Sequence, residues 1–173
     1  LARLDADVVK ISTMANEPHD NVRMLQLIRN STIPTVGICM GEIGIPSRIL
    51  AGKFGAPFTY STFHHERALA PGQLSFWQMK DIYHYDDIHA DTRVYGFIAD
   101  PIGQSIVPIL HNAAFRALGI NSVCVPFRVP REYLSSFLHD SRDWDLYGLS
   151  VGPPHRDAML KNLSKLDKAA DGI

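Results

Sequence analysis

The chain has 173 residues, of which 46% are apolar and 20% charged, with a formal net charge of −1. That much apolar surface offsets the entropy of ordering and excludes a disordered chain. The charge balance lacks the cationic excess of a nucleic-acid binder, and the longest apolar runs, such as residues 106–110, are too short to span a bilayer.

In chain order, residues 7–12 read as a buried strand built on Val8, Val9 and Ile11. Residues 19–29 read as a helix, because Val22, Leu25 and Ile28 recur at helical spacing and Met24 and Leu27 widen the stripe. Residues 34–40 give a second strand and 47–54 a short helix ended by Gly55. Residues 58–62 read as a third strand, and 75–85 as a helix with Phe76, Met79, Ile82 and Tyr83 turned inward. Three strand–helix units in a row predict parallel strands joined by right-handed crossovers. Residues 85–93 then turn polar and aperiodic, with Asp86, Asp87, His89, Asp91 and Thr92, which predicts a domain boundary.

The alternation restarts with a strand at 94–99, a Pro/Gly loop at 101–104 and a helix at 107–118 closed by Gly119. Strand, helix and strand follow at 122–129, 131–139 and 147–151, and a last helix is expected over 156–168. Both segments are therefore α/β. Cys39 and Cys124 lie far apart inside apolar runs and read as buried free thiols of a reducing, cytoplasmic compartment. The first residues, Leu1-Ala2-Arg3-Leu4-Asp5, carry no signal-peptide pattern and read as mid-protein sequence.

Several side chains could carry chemistry. Lys10 falls inside an apolar strand, where desolvation lowers an amine pKa and suits a Schiff-base lysine; the alternative is a strand-end lysine that snorkels to water. Arg48 follows the Gly44-Ile45-Pro46-Ser47 loop and could hold a carboxylate at the rim of a site, or be a surface helix arginine. The loop Ala70-Pro71-Gly72-Gln73 offers Gln73 for hydrogen bonds to a polyol, though Pro-Gly also marks ordinary turns. Ser105 precedes a helix that it can cap, and His155 and Arg156 follow a strand end, where capping or solvation competes with ligand contact. His64 and His65 are adjacent and would face opposite sides of a strand, so no metal site is expected. No Gly-x-Gly-x-x-Gly fingerprint is present, so the chain is not expected to hold NADP by itself.

The motifs Ala6-Asp7-Val8-Val9-Lys10-Ile11, Met40-Gly41-Glu42-Ile43-Gly44, Ser47-Arg48 and Ala70-Pro71-Gly72-Gln73 stand in an order and spacing that resembles type I 3-dehydroquinate dehydratase. The resemblance implies the second half of a (β/α)8 TIM barrel over residues 1–88. It makes Lys10 the imine-forming catalytic lysine, Arg48 the carboxylate ligand, Gln73 a hydroxyl ligand and Met40 a wall of the substrate pocket, with no cofactor. Leu69 stands where the family has a serine. The family's catalytic histidine would precede Leu1.

Residues 93–173 are similar to the N-terminal substrate-binding domain of shikimate dehydrogenase. The resemblance is carried by Val94-Tyr95-Gly96-Phe97-Ile98, Asp100-Pro101-Ile102-Gly103, Ser105, Pro108, His111-Asn112-Ala113-Ala114-Phe115, Ser150-Val151 and Pro154-His155. It implies that Ser105 and Ser150 contact substrate. Val107 replaces the family's second serine and Gly152 a threonine. Arg156 takes the catalytic lysine's position, where a guanidinium is too basic to relay a proton near neutral pH. NADP is expected only on a further domain beyond Ile173. The expected function is dehydration of 3-dehydroquinate to 3-dehydroshikimate, fused to a shikimate dehydrogenase substrate domain, in aromatic amino acid biosynthesis. The alternative is an inactive remnant or binding module. The expected partners are 3-dehydroquinate, 3-dehydroshikimate and shikimate, and an open half-barrel is expected to self-associate.

Overall fold

The computed structural model describes residues 5–63, 70–103 and 105–168. Strand β1 (Val9–Met14) and strand β2 (Thr35–Met40) pair in parallel, from Val9 opposite Thr35 to Met14 opposite Met40. Helix α1 (His19–Asn30) makes the crossover between them. Its predicted stripe forms as expected: Val22, Met24, Leu25 and Ile28 are buried. Asp20 in its first turn accepts hydrogen bonds from the amides of Asn16 at 2.8 Å and Glu17 at 3.2 Å, satisfying donors just ahead of the helix.

Helix α2 (Ile45–Leu50) follows β2 and runs into a 3-10 turn that stops at Gly55. The expected third strand at 58–62 does not form. Only an isolated bridge joins Thr62 to Ser75, and Phe58 and Tyr60 are both exposed. Their alternation marks an open surface rather than a paired pleat. The segment after Ser75 closes as a π-helical turn, Gln78–Ile82, with Met79, Ile82 and Tyr83 buried as expected but Phe76 exposed. Among the described residues, this half is therefore a two-stranded parallel layer with its helices.

The second sheet has β3 (Arg93–Ala99) at its centre, between β4 (Ser122–Arg128) and β5 (Leu146–Val151), all parallel. Helix α3 (Val107–Ala117) crosses from β3 to β4 and ends as expected at Gly119, which takes a left-handed φ of +64° that other residues rarely adopt. Helix α4 (Leu134–His139) follows a 3-10 turn, and α5 (Arg156–Leu160) is much shorter than the expected 156–168 helix. Leu160, Leu163 and Leu166 are all exposed, so no apolar face is buried to prolong the helix.

One core runs through both halves. Helix α2 packs on β2 and also on β4. Leu25, Ile49, Leu50 and Phe54 thereby join Val94, Ile98, Val123, Val125 and Phe127 in a single buried cluster. Trp144 is fully buried and stands edge-on to Phe127, with ring centroids 4.8 Å apart. Asn112 of α3 pins β4 by accepting from the Cys124 amide at 2.7 Å and donating to the Cys124 carbonyl at 2.9 Å. Among the described residues, no helix is long and apolar enough to cross a membrane.

Candidate functional site

Two groups of predicted residues lie on or beside the parallel strands; open α/β sheets present ligands beyond the C-terminal strand ends, whereas Lys10, the second residue of β1, lies toward the opposite end. The first surrounds β1 and β2. Side chains alternate along a strand, so Lys10, Ser12 and Met14 share one face of β1. The pairing of Met14 with Met40 puts Met40 on that face too. Lys10 pairs with Val36, four residues before Met40, or about 13 Å along the strand.

Lys10 is not buried as its apolar neighbours suggested. It is exposed, and its Nζ lies 4.1 Å from the centre of the Tyr60 ring, a cation–π contact. The reason is topological. β1 has β2 as its sole partner among the described residues, so Val8 stays exposed and only Ile11 of the trio packs on the core.

Arg48 departs from expectation in the opposite sense. Instead of standing at a rim it is only 2% exposed, because α2 is wedged between two strands. Its Nε is buried and meets no hydrogen-bond partner. Burial pulls the guanidinium below its usual pKa, and the neighbouring Cys39 acts in the other direction.

The loop holding Gln73 is fixed against the end of β2. The Gly41 amide donates to the Pro71 carbonyl at 2.9 Å. Gly72 has φ +69°, and a Cβ there would come within 2.1 Å of the Gly41 carbonyl oxygen, so only glycine allows the two turns to touch. Gln73 follows in the same turn and is half-buried. Leu69 and the His64-His65-Glu66 run lie outside the described residues.

The second group is tighter. Ser105, Ser150 and Arg156 all line one cavity of about 760 Å³ beyond the ends of β3 and β5. Its walls include Phe97 and Ala99 from β3, Val151, Gly152 and Pro153 after β5, and Val107. Ser105, just ahead of the Ile106 N-cap of α3, also accepts a hydrogen bond from the Val107 amide at 3.2 Å, so it is tied to the helix start and lines the cavity at once. Arg156 is exposed and places a guanidinium at the edge.

His155 stands at the N-cap position of α5, but its side chain makes no capping hydrogen bond. It is fully buried, and its Nε2 donates to the Val129 carbonyl at 2.7 Å. That bond fixes the Nε2–H tautomer and leaves Nδ1 a buried, unpartnered lone pair.

Two residues with no role in the sequence reading complete this site. Glu42, from the turn after β2, lines the same cavity. Arg128, the last residue of β4, donates to Glu42 Oε2 at 3.1 Å and to Asp100 Oδ1 at 2.8 Å. The Asp100 hydrogen bond, helped by both carboxylates, holds the Arg128 guanidinium above its usual pKa. Partners 86 residues apart carry no local signal. A smaller cavity, about 360 Å³, is lined by Thr92, Asn121, Ser122 and Arg116. It lies at the N-terminal ends of β3 and β4, the wrong end of the sheet for a substrate site.

Parallel strands joined by helices, a lysine-bearing strand face and a serine-lined strand-end cavity define an α/β protein. The comparisons agree on its class. Residues 1–90 match the model of type I 3-dehydroquinase, and residues 97–173 match the shikimate dehydrogenase substrate binding domain. The chain belongs to the type I 3-dehydroquinase family, joined to a shikimate dehydrogenase substrate-binding domain.

A chloroplastic bifunctional 3-dehydroquinate dehydratase/shikimate dehydrogenase of Arabidopsis thaliana is 39% identical over 168 residues, 97% of this chain and 28% of that protein. The shikimate biosynthesis protein AroDE of Chlamydia pneumoniae is 27% identical over 95% of this chain and 34% of that protein. A solved structure of dehydroquinate dehydratase and shikimate dehydrogenase from S. pombe AroM is 26% identical, with a TM-score of 0.42, over 96% of this chain and 31% of that chain. The chain thus spans about a third or less of these relatives.

Proposed function

We propose that this chain is the central part of a bifunctional shikimate-pathway enzyme of aromatic amino acid biosynthesis. Its first segment, residues 1–88, acts in the dehydration of 3-dehydroquinate, and its second, 93–173, forms the shikimate pocket of a shikimate dehydrogenase. The observation that carries this reading is the convergence of Ser105, Ser150 and Arg156 on one strand-end cavity. The same three residues are the ones that the family resemblance singles out.

In the first segment Lys10 is the nucleophile. Its unprotonated amine adds to the substrate ketone carbon, and the adduct loses water to give an imine. The imine draws electrons from the adjacent C–H bond, a general base takes that proton, and the hydroxyl on the next carbon leaves as water. Hydrolysis of the imine returns the lysine. This route uses no cofactor.

Arg48 supports substrate binding, because a buried guanidinium with a bare Nε is satisfied by a carboxylate. Gln73, from the loop held against the turn after β2, and Met40, at the end of β2, are read as further substrate contacts. The two parallel strands and their helices are read as part of a (β/α)8 barrel. NADP is assigned to the dehydrogenase activity of the whole protein. Two buried free thiols fit a reducing, cytoplasmic setting, and the open β1 edge favours self-association.

Borohydride trapping tests the mechanism. The protein is incubated with 3-dehydroquinate and borohydride and then digested. A reduced adduct on the peptide containing Lys10, lost in Lys10→Arg, is the expected result. An adduct that persists in Lys10→Arg overturns the assignment.

A further inference from the structure

We infer that Glu42 is a specificity-determining residue of the Ser105–Ser150–Arg156 cavity, accepting a hydrogen bond from a ligand hydroxyl. The inference rests on the proposed reading of that cavity as a shikimate pocket. It adds a residue from the dehydratase segment to a site that otherwise belongs to the dehydrogenase segment.

The geometry divides the work of the two carboxylate oxygens. Oε2 is held by Arg128 at 3.1 Å, and Arg128 is itself held by Asp100 at 2.8 Å. The carboxylate is therefore oriented before any ligand arrives. Oε1 accepts no hydrogen bond among the described residues, although a carboxylate has about four acceptor positions. It lies over Gly103 in the cavity loop, 3.2 Å from where a Cβ on that glycine would be. A larger residue at 103 would press on Oε1, so glycine leaves the acceptor open to the cavity.

The other polar groups of the wall are of a different kind. Ser105 has already spent acceptor capacity on the Val107 amide. Arg156 only donates. Glu42 is the one carboxylate on the wall among the described residues, and it suits a ligand that presents an alcohol: a small polyhydroxylated carboxylic acid.

The test is calorimetric titration of the 173-residue chain and its Glu42→Ala and Glu42→Gln variants. The titrants are shikimate and its single-deoxy analogues. Hydrogen bonds to charged groups predict a loss of about tenfold to hundredfold in shikimate affinity for Glu42→Ala. The Gln variant, which keeps an acceptor oxygen, should recover part of it. For one deoxy analogue the wild-type and Ala proteins should bind alike, because the recognised hydroxyl is gone. Equal losses for shikimate and every deoxy analogue would reduce Glu42 to a structural support and overturn the inference alone. So would an unchanged shikimate affinity. A wild-type chain that binds no shikimate overturns the reading of the cavity and the inference with it.

Discussion

The Arg128 guanidinium joins Glu42, at 3.1 Å, to Asp100, at 2.8 Å, so one cation at the end of β4 ties the turn after β2 to the loop after β3. The contact is half-exposed, and isolated surface pairs contribute little. Here two carboxylates share the cation, and removing it leaves two like charges facing each other. Arg128→Leu should destabilise the fold by about 1–2 kcal/mol, read from urea unfolding. Arg128→Lys should lose less, and Arg128→Leu with Glu42→Gln should recover part of the loss. An unchanged midpoint in Arg128→Leu contradicts the role.

Trp144 is fully buried against Phe127 and Phe137, whereas Trp77 is 58% exposed. Acrylamide should quench Trp77 readily and Trp144 hardly at all. A Trp77→Phe variant should therefore keep a blue-shifted, protected emission. Trp144→Ala should cost about 3–5 kcal/mol, the range for emptying a large aromatic site. Strong quenching in Trp77→Phe would show that the aromatic cluster is not closed.

Asn112 satisfies both backbone groups of Cys124. Truncation to alanine leaves a buried donor and a buried acceptor on β4 without partners, which costs about 1–3 kcal/mol for each unsatisfied group. Exchange of the Cys124 amide proton should quicken well beyond that of Val94, on the neighbouring strand. Equal protection in the variant contradicts the pinning.

Burial pushes the Cys124 thiol from 9.0 up to about 12 and the Tyr85 phenol from 10.0 up to about 12, and raises Tyr83 further. The folded state therefore keeps these groups neutral after the unfolded chain has begun to ionise. Their stabilisation is complete below pH 9, and is lost as the pH climbs through the window from about 9 to 12. Urea midpoints should fall steeply across that window, and Cys124→Ser should flatten the fall. A midpoint that stays level to pH 11 contradicts the burial.

The open strand bears on assembly. β1 pairs on one side only, among the described residues, and exposes Val8 and Met14. Sedimentation should show association that grows with concentration, through this edge. A monomer at all concentrations contradicts it.

Much of this was legible in the sequence because it is local. The stripe of Val22, Leu25 and Ile28 defined α1, and Gly119 marked the end of α3. Ser105 and Ser150 were named through the family resemblance, and both line the strand-end cavity. Burial was not legible, because it depends on what packs opposite. Lys10 looked interior and lies on an open face, whereas Arg48 looked peripheral and is wedged between β2 and β4. Phe58 and Tyr60 alternate like a strand without a partner to pair with. Glu42 and Arg128 escaped for the same reason: their meeting is a property of the folded chain.

Amide shift mapping by NMR tests the central claim most directly. On titration with shikimate, the amides of Ser105, Ser150, Gly152 and Arg156 should move together with one dissociation constant, while Asn121 and Arg116 stay still. Shifts confined to Asn121 and Arg116, or none at any amide, would contradict the assignment of the strand-end cavity as the shikimate pocket.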